Sequence, residues 1–249
     1  MNTSHPSVLL VVLACGAAFS ATAPMPAPGP AGLNAAMTQL FGDFTAFSAR
    51  AEVRLKDKAR KDTLSMGMDF AVLDGKMRAD IDLAQIKSKD MSPETVASLK
   101  QLGMDKMVTI VRPDRKSTLV VYPALRAYAE APMSKQDSED LARTYKVEKT
   151  KLGTERVDGH PCDQYRVTVT SEKGDRHEAL VWYAADVKGF PIQMQLNQPE
   201  ATVLMLYRNI KLDRPPGRDF EAPVGFSKHT SVENLMQEAM MKMMGGTAK

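Results

Sequence analysis

Residues 47–56 read FSARAEVRLK. Phe47, Ala49, Ala51, Val53 and Leu55 alternate with Ser48, Arg50, Glu52, Arg54 and Lys56. A period of two sends the first set to one side of an extended strand and the second to the other. The pattern returns at Leu64, Met66, Met68, Phe70 and Val72. It returns again at Met77, Ala79, Ile81 and Leu83, set against Lys76, Arg78, Asp80 and Asp82. Consecutive strands of this kind predict a curved antiparallel sheet with one dry face and one face in water.

Outward from this stretch, the same reasoning predicts strands at Met107–Arg112, Ser117–Tyr122, Val147–Arg156, Cys162–Ser171, Ala179–Ala184, Pro191–Asn197 and Thr202–Ile210. Asp74-Gly75 marks a tight hairpin, and Pro113-Asp114-Arg115-Lys116 suits a type I turn. Ala124–Met133 reads as an irregular extended piece. Four helices are predicted. Leu33 to Phe44 carries Leu33, Met37, Leu40, Phe41 and Phe44 on one side. Ser92 caps a second helix with Pro93 in its first turn, running to about Leu102 and ended by Gly103. Gln136–Tyr145 and Val232 to about Met244 are the others. The fold class is mainly β with helical cover (α+β), an open, incomplete antiparallel β-barrel with helices over its concave face. No residue motif repeats.

The chain has 249 residues, 43% of them hydrophobic, and a net charge of +3. That suits one β-rich domain, or at most two, and gives no argument for nucleic acid. No apolar stretch reaches the 18 to 20 residues a spanning helix needs. Val8 to Ala14 (VLLVVLA) is a short apolar core followed by small residues through Ala23. It reads as a signal peptide over residues 1–20, cut after Ser20, although no Lys or Arg precedes it. An alternative stands beside it, because Val12-Leu13-Ala14-Cys15 has the form of a lipoprotein cleavage box with Cys15 as the lipidated residue. Residues 21–32 are a Pro/Ala-rich linker, 33–230 the sheet domain, and 231–249 a Met-rich helix and tail. Cys162 is the only other cysteine, so no internal disulfide is expected.

Chemistry is sparse. No nucleophile elbow, phosphate loop or paired metal-ligand helix is present. His160, Cys162 and His177 could be drawn together as a zinc site, but both histidines fall in turn-like sequence, which favours solvated side chains. Carboxylates mostly alternate with Lys and Arg on wet strand faces. No catalytic group, metal or cofactor is therefore assigned. Six cations fall between Arg50 and Lys61: Arg50, Arg54, Lys56, Lys58, Arg60 and Lys61. They suit contact with an anionic membrane surface or an acidic partner, or a solvated face diluted by Glu52, Asp57 and Asp62. Seventeen methionines are the more telling feature. Methionine is flexible and polarizable, so it fills irregular cores and also suits surfaces that repack around apolar guests. Leu235, Met236, Ala239, Met240 and Met243 form one apolar stripe on the last helix, which Met241 and Met244 widen.

From Gly153 the chain reads GTERVDGHPCDQYRV, then Val181-Trp182-Tyr183-Ala184 with Asp186, Phe190-Pro191-Ile192 and Phe220-Glu221-Ala222-Pro223. This series resembles exported bacterial domains related to the LolA/LolB lipoprotein carriers, in an uncharacterised branch, over roughly residues 44–228. The resemblance implies an incomplete barrel of about eleven strands under helices, with an apolar hollow that shelters acyl chains. It also implies an arginine tying lid to barrel, for which Arg112 and Arg126 are the candidates by position. The expectation is a periplasmic or secreted, monomeric, non-enzymatic domain binding a lipid or acyl chain, or one anchored to a bacterial membrane through Cys15. The expected cavity residues are Met66, Met68, Phe70, Met77, Ile81, Trp182, Met194, Leu196 and Met205. The expected lid residues are Leu235, Met236, Met240 and Met243. Two rivals remain: a structural or sensor domain that docks a protein partner through its Met-rich helix, and a secreted hydrolase.

Overall fold

The computed structural model describes residues 35–88, 91–174, 176–197, 201–243 and 245. The signal peptide, the linker, Cys15 and Leu33 lie outside the described residues. The strands are β1 (Ala46–Asp57), β2 (Asp62–Leu73), β3 (Lys76–Asp82), β4 (Lys87–Ser88), β5 (Lys106–Arg112), β6 (Ser117–Tyr122) and β7 (Ala127–Pro132). After them come β8 (Tyr145–Val157), β9 (His160–Ser171), β10 (Arg176–Ala184), β11 (Phe190–Asn197), β12 (Ala201–Lys211) and β13 (Ser227–His229). The helices are α1 (Ala35–Thr38), which continues as a 3-10 turn Gln39–Phe41, α2 (Pro93–Gln101), α3 (Lys135–Ala142) and α4 (Val232–Met243).

All the strands join one sheet in the order β13-β7-β6-β5-β3-β2-β1-β12-β11-β10-β9-β8, with β4 beside β2. The first half meanders away from β1, and the second half returns from β8 to close on β1 through β12. The two end strands do not pair with each other, so the sheet is open. The pairings are antiparallel except that of β13 with β7. Hairpin chemistry sets the register. Asp74 and Gly75 both have positive φ (49° and 80°), as do Asp158 and Gly159 (50° and 89°), which is what a two-residue turn matched to strand twist requires. Ser92 caps α2 as expected, its hydroxyl accepting the Thr95 N–H at 3.2 Å.

β1 follows its sequence pattern: Phe47, Ala49, Ala51 and Val53 are buried and the residues between them only partly so. These side chains define the inner face. One hydrophobic cluster runs along that face from Ala127 and Ala129 on β7 to Val167 and Val169 on β9. Met37, Leu40 and Phe41 from the N-terminal turn, Met104 after α2, and Val232 and Leu235 of α4 belong to the same cluster.

Two expectations need correction. Ala127 to Pro132 is a regular strand, not an irregular piece. Its inward residues Ala127 and Ala129 are too small to register as an apolar beat. The outer face is also not wet throughout. β5 and β6 are buried on both faces, as continuous apolar runs often are. Leu73, Val108, Ile110, Leu119, Val121 and Phe220 form a second cluster there, flanked by Ala222 and Phe226. The segment after β12, residues 212–226, crosses the outer face as a strap, and Phe220 is fully buried beneath it.

Candidate functional site

Directly opposed residues in an antiparallel sheet share a face, so register shows which side chains meet. One inner row runs Met66–Val53–Met205–Met194–Val181–Tyr165 across β2, β1, β12, β11, β10 and β9. A second runs Leu64–Leu55–Val203–Leu196–Ala179–Val167 across the same strands. On the other side of the first row, Met68 faces Ala51 and Ile81, Phe70 faces Ala49 and Ala79, and Met77 faces Val72 and Val111. The structure thus gathers Met66, Met68, Phe70, Met77, Ile81, Met194, Leu196 and Met205 on one buried wall.

Trp182 belongs to the same buried cluster but lies on the other face of its strand. β10 alternates regularly against β9, so Trp182 faces away from Val181, on the outer side with Gln164 and Gln193. Its indole N–H donates to the Glu155 carboxylate of β8. Sequence reading missed Met104 and Met107, both buried in the inner cluster. Met107 lies in a run buried on both faces, where alternation gives no signal.

The central part of the wall is aromatic. Phe41 packs on Phe47 (4.9 Å between ring centroids), Tyr207 (5.6 Å), Phe190 (6.0 Å) and Phe70 (6.2 Å). The Tyr207 hydroxyl is fully buried and donates to the Met205 thioether at 3.8 Å. Burial pushes its phenol well above the usual range. Tyr183 packs edge-on to Tyr165 (5.6 Å), and its hydroxyl donates to the Leu40 carbonyl at 3.5 Å. Burial raises the Tyr183 phenol to about 12. Of the expected lid residues, Leu235 is buried and Met236 packs half-buried on the core. Met240 is half-buried, and the Met243 side chain lies outside the described residues. α4 packs beside β7, at the end of the sheet away from β8.

The other candidates are plain. His160 Nδ1 is 2.9 Å from Asp186 Oδ2, and the buried Cys162 thiol donates to the His160 carbonyl at 3.4 Å. Burial pushes that thiol up. Among the described residues no three His, Cys, Asp or Glu side chains gather as metal ligands. In the basic stretch, Arg50 pairs with Asp69 (3.2 Å), Arg54 with Glu52 (2.6 Å) and Lys56 with Asp62 (3.8 Å). Burial pushes the Glu52 carboxyl up, but hydrogen bonds from Arg208 and Arg54 more than offset this and hold it below its ordinary value. Arg112 points to the outer face. It grips Asp114 through two hydrogen bonds (2.9 and 2.8 Å) and the strap through the Phe220 carbonyl (2.9 Å) and Glu221 (2.6 Å). It therefore fastens a strap to the outer sheet, and Arg126 sits over the Phe226 ring of the same strap. A cleft of about 500 Å³ opens between that strap and the outer face, lined by Arg50, Asp69, Arg78, Asp80, Lys211 and Asp213 among others. Its acids and bases balance.

A family model described as a domain of unknown function (DUF4412) matches residues 54–187. The chain belongs to this family. No curated protein matches it. Among solved structures it is similar to the lipoprotein LppX of Mycobacterium tuberculosis, at 14% identity and a TM-score of 0.41, over 72% of this chain and 97% of that one. LprF from Mycobacterium bovis follows at 14% and 0.38, over 74% and 96%. A LolA superfamily protein from Nitrosomonas europaea matches at 12% and 0.34, over 74% and 93%. Identities and TM-scores this low bring no ligand with them.

Proposed function

We propose that this chain is an exported, non-enzymatic, monomeric domain that holds a lipid or acyl chain against its inner wall. One observation carries the reading: three methionines and two valines stand in a single row across β2, β1, β12, β11 and β10. The three methionines of that row are flexible and unbranched, and can re-pack around a hydrocarbon tail between the fixed valines at little strain.

The wall is shut from solvent here, so a guest must displace part of the cover. The cover is thin. α1 has four residues, and α2 buries no side chain fully. α4 contributes Val232 and Leu235. Two such aliphatic side chains contribute about 4–5 kcal/mol on burial, whereas ten methylenes of an acyl chain contribute about 8 kcal/mol. An acyl chain of that length therefore outweighs the α4 part of the cover, while Phe41 and its neighbours on the N-terminal turn stay in place.

Native mass spectrometry with lipid extraction, on protein purified from the periplasm, tests this. Acyl species should co-purify. An empty protein that also fails to take up a fluorescent fatty acid overturns the proposal. A second reading has its own observation: Met241, on the Met-rich helix, is 49% exposed beside half-buried Met240. Such a helix suits a partner's groove. The empty outcome, with a partner bound through α4, would favour it.

A further inference from the structure

Both inner rows that cross from β2 to β9 continue one strand further, and each ends in a lysine. Tyr165 faces Lys151 on β8, and Val167 faces Lys149. β8 is the end strand of the open sheet, so these ammonium groups stand at the rim of the methionine wall. They differ in their partners. Lys151 pairs with Asp163 at 2.8 Å, and that hydrogen bond holds its ammonium above the ordinary value. Asp163 faces Tyr183 and shares the inner side. Lys149 lies 4.5 Å over the Tyr183 ring, and no carboxylate pairs with it among the described residues. The rim thus presents one uncompensated cation, two phenols and an already paired acid–base couple, at the wet end of two apolar rows.

We infer that the ligand is a long-chain fatty acid, its carboxylate on Lys149 at the β8 rim and its tail along the inner rows. The inference rests on the reading of the wall as an acyl-chain holder and adds the head group. From β2 to β8 is six strand spacings, roughly 29 Å at about 4.8 Å each, which is long enough to lay a tail flat. The geometry separates the two halves of an amphiphile as a snorkelling side chain does, with the stem on apolar surface and the charge in water. A single free ammonium matches a single negative charge. A phosphate monoester brings nearly two, and it would place the second beside Asp163.

The test compares cis-parinaric acid with its methyl ester on the full-length protein, by fluorescence titration. The acid should bind about five-fold more tightly than the ester, the size of one partly screened ion pair. Lys149→Gln should abolish that preference and leave ester binding unchanged. Lys149→Arg should keep it, as should Lys173→Gln in the distant turn between β9 and β10. Both Lys149 and Lys173 are exposed, so none of these changes threatens the fold. If acid and ester bind equally, or if Lys149→Gln retains the preference, the head-group site is wrong while the holder stands. A monoacyl phosphate that binds more tightly than the carboxylate refutes the single-charge match. If neither probe binds, the holder itself fails and this inference with it.

Discussion

Arg112→Met would remove the clamp between the outer sheet and its strap. The guanidinium is 3% exposed and lies at the end of β5. It makes two hydrogen bonds to Asp114, one to the Phe220 carbonyl and an ion pair to Glu221. Hydrogen bonds involving charge contribute about 1.5–3 kcal/mol each, and losing one partner of a buried pair costs about 3–5 kcal/mol. Neither figure applies in full. Asp114 and Glu221 are 46% and 40% exposed, so water re-solvates both once the arginine is gone. The Phe220 carbonyl loses its guanidinium donor. Methionine also restores apolar contact beside Ile110. The expected loss is about 3 kcal/mol in urea unfolding, with Phe220 still holding the strap down. Trypsin should then cut after Arg218, an exposed arginine of the strap, sooner than in the parent. A loss under about 1 kcal/mol with unchanged trypsin protection would refute the clamp.

The same clamp has an acid signature. The hydrogen bonds from Arg112 hold the Asp114 carboxyl at about 2, below its ordinary 3.8. A carboxylate with a lowered folded value stabilises the fold fully above its unfolded value. That contribution is lost as pH falls from about 4 to about 2. A shift of that size would be worth about 2.5 kcal/mol if buried. Asp114 is nearly half exposed, and solvent screening brings the figure to about 1 kcal/mol. Arg112→Met should flatten this acid limb of the stability curve. Parallel acid limbs in the two proteins would show that Asp114 owes nothing to Arg112.

Three further outcomes follow from the geometry. Phe41→Ala removes the ring shared by Phe47, Phe70, Phe190 and Tyr207, and should cost about 3–5 kcal/mol by thermal or urea unfolding. Gly67→Ala would bring a Cβ within 2.7 Å of Arg50 Nη2, but that is the tip of a flexible side chain. The arginine swings aside from Asp69 at a change within about 0.5 kcal/mol, and a loss above 2 kcal/mol would mean the pair is rigid. Cys162, 4% exposed and with its thiol pushed up by burial, should react with a disulfide reagent roughly a hundred-fold more slowly in the native protein than in denaturant. Equal rates would place the thiol at the surface.

The inner face was legible because its information is local. Phe47 to Val53 and Met66 to Phe70 alternate strictly, and each buried residue of β1 was foreseen by period alone. Asp74-Gly75 fixed the register of β2 on β3 before any contact was known. Three features were hidden for separate physical reasons. β7 faces inward with alanines, whose small apolar area leaves the alternation faint. Trp182 lies in Leu180-Val181-Trp182-Tyr183, apolar on both faces, so only pairing with β9 decides its side. The second cluster needs Phe220, which is about a hundred residues from the Val108 and Leu119 it covers. No window of periodicity spans that separation.

The rim lysines belong to a fourth kind. In sequence, Lys146, Lys149 and Lys151 look like the ordinary charge of an edge strand, placed there to discourage pairing with another chain. Register splits them. Lys146 faces Thr170, on the side of the sheet opposite Val147, and pairs with Glu148 of its own strand. Lys149 and Lys151 face Val167 and Tyr165, at the ends of rows made of leucine, valine and methionine. Edge protection explains a lysine on either face equally well. It does not explain why one inward lysine is neutralised by Asp163 while its neighbour is left over an aromatic ring. If protection alone were the reason, exchanging the partners would change nothing a ligand could sense. Asp163→Asn frees Lys151 and gives the rim a second uncompensated cation. It should therefore raise the preference of the protein for the acid over the ester by up to about another five-fold. Unaltered preference in that variant would return both lysines to the simpler role.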